Sequence, residues 1–376
     1  MSARKIAMAF AATLMLTGTG LAGTSAASPR TGLTDVTTTQ TPVLDSATRA
    51  AGLREECRQH LAEAKSPNGW IKNRFETCRY ERKELLLVNN QLLKIGEIHF
   101  DYWVIGLANP NGGRSVEYQV AIENINKLSG PREEDWEITT RFKRVDGLNW
   151  KVDTPNGESR AGFLPAWRQN PQWTMLYTTP NDYGDGQYGL VRANVVMDLI
   201  VYVAGARPYE EFESLRSKFR FDSSKGKVGK HHGSVFTDAK VTLQLSLSKD
   251  GEKESARHID DALHHPERTF PYGGGANIPG ETVPLTRMLD ENEISKNRLA
   301  SGKTCKDVWG TEYPATKYNC DEYPFASTYQ GAARGNYSAR PIDKNDNQQG
   351  GGRALNDMYR DSRMLDGDAF YVKINP

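Results

Sequence analysis

The chain has 376 residues, 38% of them hydrophobic and 25% charged, with a formal net charge of +1. That length exceeds one ordinary hydrophobic core and points to two domains with extensions. The composition excludes collagen-like and disordered classes, and the balanced charge excludes a polycation that binds nucleic acid by bulk charge alone.

Arg4 and Lys5 precede an apolar run from Ile6 to Leu16, followed by small residues through Ala27. This is the pattern of a secretory signal peptide over residues 1–27. Thr17, Gly18, Thr19 and Gly20 leave the run too short and too interrupted for a membrane span. Taking Arg4 and Lys5 from the 48 basic residues leaves 46 against 47 acidic ones, so the mature chain carries about −1. No later apolar stretch approaches a span, and no stable membrane association is expected after signal cleavage. Four cysteines in an exported chain should be oxidised. Cys57 and Cys78 lie 21 apart, and Cys305 and Cys320 lie 15 apart, so local pairing into two disulfides is favoured. A zinc site is disfavoured, because neither pair has a CxxC spacing or a histidine beside it.

Residues 28–50 are small and polar and read as a flexible N-terminus. From Ala51 the pattern turns helical through Leu53, Cys57 and Leu61, ending near Pro67. Beyond it, alternating runs such as Val116, Tyr118, Val120, Ile122 and Trp136, Ile138, Thr140, Phe142 predict strands, as does Val241, Leu243, Leu245, Leu247. Val195–Val203 reads as a buried strand. Recurrent turn signals between them indicate a β-rich domain, an antiparallel sandwich or barrel, over residues 51–255. Trp103, Trp136, Trp150, Trp167 and Trp173 read as core more than as a ligand face. Residues 256–290 have the composition of a linker, ending in the run Pro271–Gly280. His258, His264 and His265 lie within it without the spacing that sets two metal ligands on one helical face. His258 and His265 with Asp261 remain conceivable as a weak metal site.

Residues 291–376 form a second, α+β domain. A helix is expected from Glu291 to Cys305, then the segment from Tyr318 to Thr328. Asp346 and Asn347 precede three glycines, a permissive loop before a short helix with Leu355, Met358 and Tyr359 buried. A terminal strand spans Ala369–Ile374. Adjacent Asp321 and Glu322 on a strand point to opposite faces, so both cannot flank one bond. One can face a site while the other pairs inside the domain, or both can be surface acids. Residues 281–376 contain no histidine, which removes a serine or cysteine nucleophile with a histidine base unless another domain supplies that base. Carboxylate chemistry remains, with a carboxylate base activating water.

The string Cys-Asp-Glu-Tyr-Pro-Phe-Ala-Ser-Thr at 320–328, Asp346-Asn347 with its glycines, Ala-Leu-Asn-Asp-Met-Tyr at 354–359 and the ending Gly-Asp-Ala-Phe-Tyr-Val-Lys-Ile resemble the NucA/NucB family of secreted bacterial deoxyribonucleases. The resemblance covers about the last 75–85 residues. It implies a compact ββα-metal nuclease fold in which an Asp replaces the usual histidine base. Asp321 then matches the general base, Glu322 its supporting acid, and Asn347 the residue orienting base or phosphate. Asp357, after Asn356, matches the metal ligand for one divalent cation, Mg or Mn, with Asp where the family carries Glu or Gln. Arg353 and Arg360, seven apart on one helical face, are phosphate contacts or solvated charges, and Asn356 lies beside them as a further substrate contact. Residues 281–376 hold 13 basic and 14 acidic residues, so DNA binding is expected to be weak, salt-sensitive and without sequence preference. The expected protein is a secreted metal-dependent endodeoxyribonuclease, with DNA as substrate and an inhibitor protein as a possible partner. The alternatives are a surface-polymer binding protein with a silent nuclease-like domain, and a DNase toxin delivered to competitors.

Overall fold

The computed structural model describes residues 45–376 apart from 111, 147–150, 225–227, 229–231, 272–277 and 313–316. The expected signal peptide over residues 1–27, most of the expected flexible segment, and Trp150 lie outside the described residues. Order begins earlier than the composition suggests. Helix α1 (Ser46–Cys57) starts inside the segment 28–50, because the Asp45 carboxylate caps it by accepting from Thr48 N at 2.8 Å. Its buried stripe of Ala50, Leu53 and Cys57 packs on the first sheet, and α2 (Leu61–Ala64) follows.

The chain then runs through β1 (Trp70–Asn73), β2 (Glu76–Val88), β3 (Lys94–Ala108), β4 (Ser115–Ser129), β5 (Trp136–Arg144), β6 (Ser159–Phe163), α3 (Leu164–Gln169), β7 (Gln172–Thr178), β8 (Val191–Val203), β9 (Tyr209–Ser223) and β10 (His232–Phe236). These strands make two five-stranded sheets with antiparallel neighbours, ordered β1-β2-β3-β4-β7 and β10-β9-β8-β5-β6. Their facing residues share one core. Val116, Tyr118, Val120 and Ile122 of β4 meet Ile138 and Phe142 of β5 and Phe219 of β9 within it. Alternation along each strand produces this, since every second side chain faces the opposite sheet. Trp103, Trp136 and Trp167 are buried, as a packing role requires. The sandwich outcome of the β-rich expectation follows.

The C-terminal part continues with β11 (Thr242–Ser246), α4 (Lys253–His264), β12 (Leu285–Thr286), α5 (Glu291–Trp309), β13 (Tyr318–Tyr323) and β14 (Ser338–Asp343). It closes with α6 (Lys344–Asp346), a π-helical stretch over Asn347–Ala354, α7 (Leu355–Asp361) and β15 (Ala369–Asn375). The alternating run at Val241–Leu247, expected in the N-terminal domain, instead pairs in parallel with β15 at the end of the chain. Residues 256–290, expected as a linker, carry most of α4 and all of β12. Ala256, Ile259 and Ala262 of α4 join Val241, Leu285, Tyr323, Leu355 and Phe370 in a second core. The apolar content of α4 is low and its buried stripe includes His258 and Asp261, so polarity masks its packing role. The glycine run is a π-helical turn rather than a loop. A Cβ on Gly350 would lie 2.7 Å from the Glu252 Cβ, so only glycine lets this turn pack on the start of α4.

Both parts belong to one compact unit, Leu44–Pro376. Arg74 and Arg220 of the sandwich reach Asp368 before β15 at 2.9 and 2.7 Å, while Arg363 pairs with Asp222 of β9. Two disulfides are present, Cys57–Cys78 tying α1 to β2 and Cys305–Cys320 tying α5 to β13.

Candidate active site

The antiparallel pair β13–β14 lies between two helices. Asp321 faces Arg340 and Tyr323 faces Ser338 in its register, so these four side chains share one face. Helix α4 covers that face with His258 and Asp261, one turn apart. His258 Nδ1 is 2.8 Å from Asp321 Oδ2, and its Nε2 is 2.8 Å from Ser338 Oγ. Asp261 holds Arg340 at 2.8 Å. His258, Asp321 and Ser338 are all buried. On the opposite face, Glu322 accepts a short hydrogen bond from Ser301 of α5, beside the Cys305–Cys320 disulfide. Alternation thus separates Asp321 and Glu322, yet both border one cavity.

That cavity, of about 490 Å³, opens between β13, α5 and the π-helical turn. Asn347 lines it with its amide nitrogen donating to Cys320 O at 3.4 Å, and Asn356 lines it with its nitrogen donating to Gly352 O at 2.7 Å. Neither amide oxygen has a hydrogen-bond partner among the described residues. A Cβ on Gly351 would sit 3.5 Å from Asn347 Oδ1, 3.6 Å from Asp321 Oδ1 and 3.6 Å from Ser255 Oγ, so the bare glycine leaves space that all three oxygens border. Arg298 of α5, one turn before Ser301, is exposed at the wall and enters no ion pair among the described residues. Burial pushes the Glu322 carboxyl up to about 7, with the Asp321 charge adding to the rise and Ser301 opposing it.

Four expected site residues therefore come together: Asp321, Glu322, Asn347 and Asn356. Three do not. Arg353 and Asp357 line a separate depression of about 320 Å³ with Lys249 and Glu252, and Arg360 is held by Asp357 at 2.8 Å and Asp361 at 2.9 Å. The helical turn that aims Asn356 at the cavity rotates its neighbour Asp357 away from it. Asp357, Arg353 and Arg360 thus do not line the cavity that Asp321 borders. No group of three or more His, Cys, Asp or Glu that could hold a metal occurs among the described residues. His258, Ser338, Ser301 and Arg298 were not expected at the site. The one sequence signal for His258 is its place on the buried stripe of α4 beside Ile259; its partners lie more than 60 positions away.

The comparisons with known proteins bear on this part of the chain. Residues 276–373 match the family model Deoxyribonuclease NucA/NucB. The NucA/NucB match spans β12 to β15 and contains every cavity residue named above, while β11 and α4 precede it. It supports a deoxyribonuclease, an enzyme whose substrate is DNA. No curated protein and no solved structure matches the chain. The two disulfides fit an extracellular protein. Among the described residues no helix is long and apolar enough to cross a membrane.

Proposed function

We propose that the chain is a secreted, metal-dependent endodeoxyribonuclease that cleaves DNA without sequence preference, with Asp321 as general base. The observation that carries this is the space at Gly351 bordered by Asp321 Oδ1 and Asn347 Oδ1, in a cavity of the NucA/NucB-matched region. A water there gives one hydrogen bond to each oxygen. Asp321 Oδ1 takes the proton as the water oxygen attacks phosphorus in line, and the bond to the 3′ oxygen breaks. Asn347 fixes the other hydrogen and so the direction of attack. Glu322, titrating near neutrality, adds less negative charge than a fully ionised carboxylate to a cavity that must admit a phosphate. Arg298 takes over the phosphate-contact role expected of Arg353 and Arg360, as an exposed guanidinium at the cavity wall.

The donors facing the cavity are carboxylate and amide oxygens, a hard set that suits magnesium or manganese keeping most of its waters. Asn356 would hold such a cation, and when bound it supplies positive charge against the phosphate. The catalytic unit in this reading starts at Val241, where the second core begins. The test is cleavage of supercoiled plasmid by the mature chain. Cutting with magnesium or manganese, its loss in EDTA, and a raised KM in Arg298→Ala but not in Arg353→Ala support the reading. A metal-independent reaction, or an unchanged KM in Arg298→Ala, contradicts the corresponding assignment.

A further inference from the structure

Asp321 is a short side chain on a strand, and a carboxylate there turns about its terminal bond unless something holds it. One oxygen is free toward the cavity and the other is engaged by a fully buried histidine from outside the family-matched residues. An ionised carboxylate only accepts, so the 2.8 Å contact requires His258 Nδ1–H to donate to Asp321 Oδ2. Ser338 Oγ, 2.8 Å from Nε2, fixes the other end of the ring. Ser338 lies two residues along β14 from Arg340, the register partner of Asp321, so the imidazole spans the strand pair diagonally. Helix α4 is itself anchored to the cavity. Asp346 Oδ2 accepts from Glu254 N at 2.9 Å, and Ser255 Oγ donates to Asp346 O at 3.2 Å, immediately before Asn347.

We infer that His258, set by Ser338, is the positioning residue of the nuclease site. It clamps Oδ2 of Asp321 and leaves Oδ1 as the single free acceptor, aimed at the water between Asp321 and Asn347. The clamp holds through the reaction. Water loses a proton to Oδ1 as its oxygen bonds to phosphorus, and Oδ2 keeps accepting from Nδ1–H in both states. The site is incomplete without α4, although α4 precedes the residues that carry the family pattern.

This inference rests on the nuclease reading, and its test separates the two. Wild type, His258→Ala, His258→Gln and Ser338→Ala are assayed as full mature chains on plasmid DNA, with melts recorded alongside. Loss of a clamp lowers kcat in His258→Ala by about tenfold to a hundredfold with KM within about twofold, because substrate contacts are untouched. His258→Gln, whose side-chain amide can donate to Asp321, recovers part of that loss. The wild-type proton spectrum carries an imidazole Nδ1–H resonance of His258 that shifts or vanishes in Asp321→Ala. A folded His258→Ala with wild-type kcat overturns the inference while leaving the nuclease reading intact. If His258→Ala does not fold, the spectrum decides: absence of a resonance responsive to Asp321 overturns the inference. A wild type that cuts no DNA overturns the nuclease reading, and with it the positioning role inferred for His258.

Discussion

The joint between the sandwich and the C-terminal part gives the sharpest stability prediction. Asp368 accepts from Arg220 at 2.7 Å, Arg74 at 2.9 Å and Leu365 N at 2.8 Å, and both arginines are buried. Burial pushes its carboxyl up, but the Arg220 and Arg74 charges push it further down, to about 2 against the usual 3.8. At about 1.4 kcal/mol per unit, that shift is worth about 2 kcal/mol of stability. Because the folded value is depressed, the contribution is present above pH 4 and is lost as pH falls through 2, with about half gone by pH 3. Asp368→Asn removes it by leaving two buried guanidinium groups short of a counter-charge, a change that costs about 3–5 kcal/mol in comparable sites. Urea unfolding at pH 7 should therefore show a loss of about 3 kcal/mol, and the gap from wild type should narrow toward pH 3. A loss below about 1 kcal/mol, or a gap that does not narrow, refutes the reasoning.

The remaining predictions concern the cavity. Replacing Cys305 and Cys320 together by serine opens a loop of separation 15 and should cost about 3 kcal/mol by denaturant titration; a loss under about 1 kcal/mol contradicts it. Gly351→Ala puts a methyl against Asp321 Oδ1, Asn347 Oδ1 and Ser255 Oγ without a clash, so kcat should fall at least about tenfold with the melt nearly unchanged. Full activity in that variant would place the attacking water elsewhere. Glu322 has a raised folded value, about 7 against 4.5, so its contribution is present below pH 4.5 and lost as pH rises through 7. Glu322→Gln should gain about 3 kcal/mol on wild type between pH 4.5 and pH 8, and parallel pH dependences would exclude the raised value.

What the sequence disclosed depended on whether a residue's partner was near in the chain. Strand alternation placed β4 and β5, because a two-residue period alone assigns the buried face, and a nearly continuous apolar run placed β8. The Asp-Glu-Tyr-Pro string, the Asp346-Asn347 pair and the helix after the glycines marked Asp321, Asn347 and Asn356, all on the walls of one cavity. The period of α7 separates Asn356 from Asp357 by a rotation that a motif match ignores, and so Asp357 lines a different depression from Asn356. His258 was the opposite case. It was visible as one histidine among three in an apparent linker, while its meaning lies in contacts with Asp321 and Ser338. The pairing of β11 with β15 was hidden for the same reason: the run was plainly a strand, but nothing local says which sheet it joins.

The central claim is that Asp321 takes the proton from water, and the most direct measurement is plasmid cleavage by wild type and Asp321→Ala at matched folded concentration. The account predicts cleavage by wild type and at least about a hundredfold loss in the variant, with the melting temperature nearly unchanged. Comparable cleavage by the folded variant would contradict it and move the base to another residue of the cavity.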